Sequence, residues 1–244
     1  MIILHNEGLI ALKARKVGGT SFEIALSKFA DKDSIITPIT QSDEELRQSF
    51  GWRGPQNFKY SADELIRLGK REIAKALLHR AWPQKFVNHI SAVDVKEKLG
   101  EDTWAKYTKV SITRNPFDYM VSSYFWANKT EAARARLSFE SFVLTHPELL
   151  LWNKRIHEIN GENVIDFMIR YEHFKADILE LEEKFPSLKG LAETFTGINA
   201  KGNFRPRNAH MSDMFSQSPR AHALVKNVCF DDIVKYGYEI PDLG

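Results

Sequence analysis

The chain has 244 residues, 43% of them hydrophobic, enough to bury one core and to make residues 1–244 a single domain. Its 34 basic and 32 acidic residues nearly cancel, so a net charge of +2 excludes a broad field for nucleic acid, and any anion site needs local cations. The lone Cys229 excludes an intramolecular disulfide, and neither a signal-peptide pattern nor a membrane span of roughly 20 apolar residues is present, so a cytoplasmic setting is expected.

In chain order, "GLIALKA" alternates apolar residues and predicts a strand over 8–14. "TSFEIALSKFA" puts Phe22, Ala25, Leu26 and Phe29 on one helical face, with Thr20 or Ser21 as the cap. Residues 38–83 are polar and carry one amphipathic helix, "SADELIRLGKREIAKALL"; they read as a helical insertion over the core. "KFVNHI" predicts a short strand, and "SAVDVKEKLG" a helix capped by Ser91 and stopped at Gly100. "YTKVSITR" is the most β-branched run, and it leads into "NPFDYMVSSYFWA", a helix with Pro116 at its start. "ENVIDFMIRYE" predicts a strand and "HFKADILELEEKF" the helix behind it. After the loop "GINAKGNFRPRNAHMSD", one helix is expected from Pro219 to Tyr236. Strands alternating with helices give an α/β class: a central, mainly parallel sheet flanked by helices. Ligands of such sheets collect at the carboxyl ends of the strands. The loops Lys16–Ser21, His89–Ser91 and Arg114–Pro116 fall there.

In "KVGGTS", a strand turns into a helix whose first N–H groups have no partner of their own. Gly18 and Gly19 allow close approach of an anion, Lys16 adds charge, and Thr20 and Ser21 add hydroxyls. The lysine precedes both glycines, so the pattern is not a Walker loop, and Gly-x-Gly-x-x-Gly is also absent. The spacing alone leaves an anion nest and a plain capping turn both open. In "RNPFDYMVSSY", Arg114 leaves a strand end and Ser122 follows eight residues later. An arginine there suits bidentate phosphate recognition, and pairing with Asp118 is the alternative.

Together, "KVGGTS" and "RNPFDYMVSSY" resemble the PAPS-dependent sulfotransferases, and "NHISAVDVKEKLG", "VIDFMIRYEHFKADILEL" and "VKNVCFDDIVKYGYEI" resemble segments of their carbohydrate branch, in family order. The resemblance spans residues 9 to 240, with no evident match for 38–83. It implies a P-loop-like sulfotransferase fold. It also implies transfer of a sulfuryl group from 3′-phosphoadenosine 5′-phosphosulfate to a hydroxyl, on a carbohydrate by the branch resembled, leaving 3′,5′-adenosine bisphosphate. Carried over, Lys16 stabilises the bridging oxygen, and the main chain of Val17, Gly18, Gly19, Thr20 and Ser21 wraps the 5′-phosphate. Arg114 and Ser122 hold the 3′-phosphate. Basic residues of a late loop close the pocket; Lys201, Arg205 and Arg207 are available, and Arg207 is the choice. The insertion 38–83 would then cover the acceptor.

His89 matches the histidine that acts as base in that branch, and a pKa near neutrality suits the role. His79, His157 and His222 fall in expected helices as surface or packing residues, whereas His210, beside the basic loop, is the rival. Tyr171 and Glu172 read as structural, for instance capping the next helix. Trp52, Phe58, Tyr60 and Trp82 read as core or lid residues, able to stack on a sugar if exposed. No histidine pair has zinc spacing, and no Gly-x-Ser-x-Gly elbow occurs, so neither a metal nor a serine hydrolase is expected. Two other readings stand beside the sulfotransferase: a P-loop-type kinase or NTPase, and a non-catalytic nucleotide-binding module.

Overall fold

A computed structural model describes residues 1–68, 73, 74, 78, 82–198, 205, 206 and 208–243. Its centre is a five-stranded sheet in the order β3-β1-β2-β4-β7, with β1 Ile2–Leu4, β2 Leu9–Ala11, β3 Ile35–Ile36, β4 Thr108–Thr113 and β7 Phe167–Arg170. β2, β4 and β7 are mutually parallel, and β1 runs antiparallel to both its neighbours, β2 and β3. The expected α/β class with a mainly parallel sheet flanked by helices therefore holds. A separate two-stranded ribbon joins β5 Glu158–Ile159 to β6 Glu162–Asn163.

Burial follows the pattern expected of strands covered on both faces. All of β1 and β2 is buried, as are the four central residues of β4. One core cluster joins the sheet to α1 Gly19–Ser27 and to the helices Ala92–Leu99, Phe174–Lys184 and Leu191–Thr196. A second cluster fixes the helix Pro116–Ala127 against Phe139–Thr145, Met211–Ser216 and Pro219–Val228. There Phe117 and Phe139 each meet Phe215 edge-on at 4.9 Å between centroids, an arrangement favoured by the ring quadrupoles.

Local signals set several boundaries. Ser91 Oγ accepts from the Asp94 N–H at 3.1 Å, and Gly100 ends that helix with φ 84°. Pro116 stands at the first helical position, and the Asn115 side chain caps it by accepting from the Phe117 N–H at 3.0 Å.

Four expectations are corrected. "KFVNHI" is not a strand: the Lys85 and Phe86 N–H groups both bond the Phe58 carbonyl, and the chain turns at His89 with φ 56°. The strand over 162–172 is two short pieces, β6 and β7. The final helix divides into Pro219–Val228 and Phe230–Tyr236, because Cys229 leaves the helical region, and Ile233 and Tyr238 thereby reach the second core cluster. Neither Thr20 nor Ser21 caps α1; left-handed Gly18 does, so both hydroxyl residues fall inside the first turn, with Ser21 buried. Among the described residues no helix is long and apolar enough to cross a membrane.

Candidate functional site

Residues 12–18 carry the chain from β2 into α1, and two of their turns use left-handed backbone: Lys16 at φ 59° and Gly18 at φ 75°. Gly18 is required there for a second reason. A Cβ on it would lie 3.0 Å from two ring carbons of Phe174 and 3.4 Å from Tyr171, tighter than ordinary contact. Phe174 is itself packed on Phe195 at 4.4 Å and on Tyr171 at 5.2 Å, so it has little room to yield. Gly18→Ala is expected to destabilise the fold by about 2–4 kcal/mol, combining left-handed strain with overpacking. A urea midpoint unchanged from wild type would contradict this account of the turn. At Gly19 the neighbour is Lys13 Cγ at 3.0 Å, and Lys13 is held in a buried ion pair with Glu23.

Three separate segments meet at this turn. His89 Nδ1 lies 3.0 Å from the Lys13 carbonyl. A carbonyl only accepts, so Nδ1 carries the proton and Nε2 keeps its lone pair. Burial, with Lys13 and Arg15 nearby, lowers the His89 pKa to about 4, so the near-neutral value that favoured it as a base is not met. Arg114 Nη1 donates to the Lys16 carbonyl at 2.8 Å, tying the β4 end to the first loop. The Arg114 guanidinium also stacks on Tyr171, 4.0 Å from the ring centre. Among the described residues four non-glycine residues have positive φ: Lys16, His89, Asn57 and Asn160. Asparagine and histidine tolerate that region, whereas lysine is held there at a cost.

The pairing with Asp118 is real. Arg114 Nε and Nη2 donate to Asp118 Oδ2 at 2.7 and 2.5 Å, and Arg205 Nη1 donates to Oδ1. Burial pushes the Asp118 pKa up, yet the two guanidinium groups outweigh it and hold the carboxyl below its ordinary range. Ser122 lies one turn beyond Asp118, and Trp126 one turn further on the same side of the helix. The Lys16 ammonium sits 4.2 Å from the Trp126 ring centre, so the lysine side chain extends along the helix that carries Ser122. Arg15 covers Trp152 at 4.1 Å; its main-chain N–H donates to Asn153 Oδ1, and its carbonyl accepts from Asn153 Nδ2.

The structure thus brings Lys16, Val17, Gly18, Gly19, His89 and Arg114 together beyond the carboxyl ends of β2 and β4, with Ser122 two turns along the helix that follows β4. Val17 turns its side chain into the core and offers only its main chain. Thr20 is half-buried at the helix start. Arg207, Lys201 and His79 lie outside the described residues. His157 and His222 are packing residues: His157 Nε2 meets Ser111 Oγ at 2.9 Å, and His222 Nε2 donates to the Pro241 carbonyl at 2.9 Å. The rival His210 is exposed at the start of Met211–Ser216.

Glu172 does not cap the helix behind it, which has no side-chain cap. It accepts the Asn115 N–H at 2.8 Å instead, and so braces the Arg114 loop, with burial raising its pKa. From the other side, Tyr238 Oη donates to Thr113 Oγ1 at 3.1 Å, and Asn115 Nδ2 donates to the Glu239 carbonyl at 2.8 Å. Trp52 and Phe58 pack on the core, while Trp82 is 46% exposed, with its indole N–H on the Tyr60 carbonyl. A cavity of about 60 Å³ borders Val17, Arg114, Tyr119, Lys154 and Asp232, room for water rather than for a nucleotide. Among the described residues no group of three His, Cys, Asp or Glu is placed to hold a metal.

Comparison with protein-family models, with curated proteins and with solved structures gives no match.

Proposed function

We propose that this chain is a sulfotransferase that moves the sulfuryl group of 3′-phosphoadenosine 5′-phosphosulfate to an acceptor hydroxyl, on a carbohydrate by the branch it resembles, with the P-loop-like fold of that family. The observation that supports the reading best is one convergence. The Lys16 turn, His89 and Arg114 come from three distant segments, and two hydrogen bonds to the first loop, at Lys13 and Lys16, join them.

In this reading the free N–H groups at the start of α1 and the main chain of Val17 to Ser21 receive the 5′-phosphate. Arg114 and Ser122 hold the 3′-phosphate, with Arg207 closing the pocket. His89 Nε2 takes the acceptor proton as the acceptor oxygen attacks sulfur. The new O–S bond forms while the bond to the bridging oxygen breaks, and Lys16 carries the charge that develops on that oxygen. The products are a sulfate ester and 3′,5′-adenosine bisphosphate. Lys16 and Arg114 supply the positive charge, so the step needs no metal. Residues 38–83 would cover the acceptor; their described part includes Gln56, which bridges to Ile36 at the β3 edge.

Calorimetry with 3′,5′-adenosine bisphosphate and with ATP tests the proposal. The bisphosphate is expected to bind without metal, and ATP, lacking a 3′-phosphate for Arg114, at least about tenfold more weakly. Absence of bisphosphate binding would sink the reading. Magnesium-dependent binding of ATP in its place would favour a kinase or NTPase. Bisphosphate binding with no transfer to any of a panel of carbohydrate acceptors would favour a non-catalytic module.

A further inference from the structure

Arg114 has five N–H groups, and the structure accounts for three of them. Nε and one hydrogen of Nη2 go to Asp118 Oδ2, and one hydrogen of Nη1 goes to the Lys16 carbonyl. Tyr171 occupies one face of the guanidinium. One N–H on each terminal nitrogen is left without a partner among the described residues, and the group cannot rotate without breaking a bond to Asp118 or to Lys16. The Arg114 side chain is 8% exposed and that of Asp118 18%, so the pair is shielded enough to hold this geometry against water. Asp118 also binds Arg205, whose Nε donates to the Ala209 carbonyl at 2.7 Å. One carboxylate therefore fixes two guanidinium groups, one four residues before it and one 87 residues after it.

We infer that Asp118 is a positioning residue for the nucleotide's 3′-phosphate: it takes the side edge of Arg114, so that the terminal nitrogens face the ligand, and it anchors Arg205 beside them. This rests on the proposed role of Arg114. The sign of the effect separates positioning from charge. As a mere negative charge near a phosphate, Asp118 would weaken binding, and its removal would tighten it. As a support that sets the guanidinium angle, its removal weakens binding, because an unsupported arginine has to be ordered by the ligand itself.

The experiment is calorimetry of 3′,5′-adenosine bisphosphate and of adenosine 5′-monophosphate on the wild-type protein, Asp118→Asn and Asp118→Glu, with urea midpoints to establish folding. The ratio of the two affinities isolates the 3′-phosphate, and a merely structural defect lowers both alike. Asp118→Asn is expected to reduce this ratio about tenfold, with the monophosphate little changed. Asp118→Glu keeps the charge but displaces the carboxylate by a methylene, and the ratio is expected to fall here too. A ratio in Asp118→Asn equal to or above wild type overturns the inference, as does full retention in Asp118→Glu or equal weakening of both nucleotides. A wild-type protein that binds the bisphosphate no better than the monophosphate overturns the role of Arg114 as well, so the two failures are told apart.

Discussion

His89→Ala is expected to lower sulfuryl transfer by about 10²–10⁴-fold while leaving the affinity for 3′,5′-adenosine bisphosphate unchanged, the range of a lost general base. The separation of effects follows from geometry. The imidazole is held through Nδ1 by the Lys13 carbonyl, a bond that orients the ring and leaves the Nε2 lone pair unprotonated. Transfer is to be measured with labelled donor on a panel of carbohydrate acceptors, and binding by calorimetry on the same samples. Full activity in the variant would remove His89 from the chemistry. The low pKa, about 4, adds a pH signature. In the proposed role His89 acts as the neutral form, so kcat/KM should hold from neutrality down to pH near 4 and fall below it, as the free protein protonates. Lys13 and Arg15 contribute to that depression, and a bound donor carries negative charge that offsets them. The acidic limb of kcat should therefore lie above that of kcat/KM, the reverse of what a further cation in the complex would produce.

The parts of this site that could be read from sequence are those whose signals are local. Pro116, the β-branched run of β4 and the Ser91–Gly100 pair each act within a few residues, and each marks the boundary observed. The Lys16–Ser21 and Arg114–Pro116 loops follow observed strands for the same reason, whereas the strand expected before His89 does not form. What failed depends on distant partners. β1 and β3 are three and two residues long, too short for any period, and they exist because the rest of the sheet offers them an edge. "KFVNHI" has strand composition, but its backbone is claimed by Phe58, and His89 is turned to meet Lys13. The Asp118 pairing was half visible, because Arg114 is four residues away at helical spacing, whereas Arg205 is not. Stacking of Lys16 on Trp126 and of Arg114 on Tyr171 carries no sequence signature at all.

Arg114→Ala is expected to weaken 3′,5′-adenosine bisphosphate by about 100-fold, near 3 kcal/mol, the cost of removing a shielded, charge-assisted anchor. Two losses add. The ligand phosphate loses its fork, and the Lys16 carbonyl loses the bond that pins a backbone turn already held at φ 59°. The second loss reaches beyond the 3′-phosphate, because that turn places the Lys16 ammonium and the first N–H groups of α1. Adenosine 5′-monophosphate should therefore also weaken, by less, whereas Asp118→Asn is expected to spare it. Arg114→Lys should recover little, since one ammonium cannot reach Asp118, the Lys16 carbonyl and a phosphate at once. Alanine also leaves Asp118 with Arg205 as its remaining cation, so some loss of stability accompanies the loss of binding. Thermal melts of the nucleotide-free variants separate that cost from affinity. A folded Arg114→Ala protein that binds the bisphosphate like wild type would mean that the junction of the first loop with β4 is purely architectural, and that the anion site lies elsewhere.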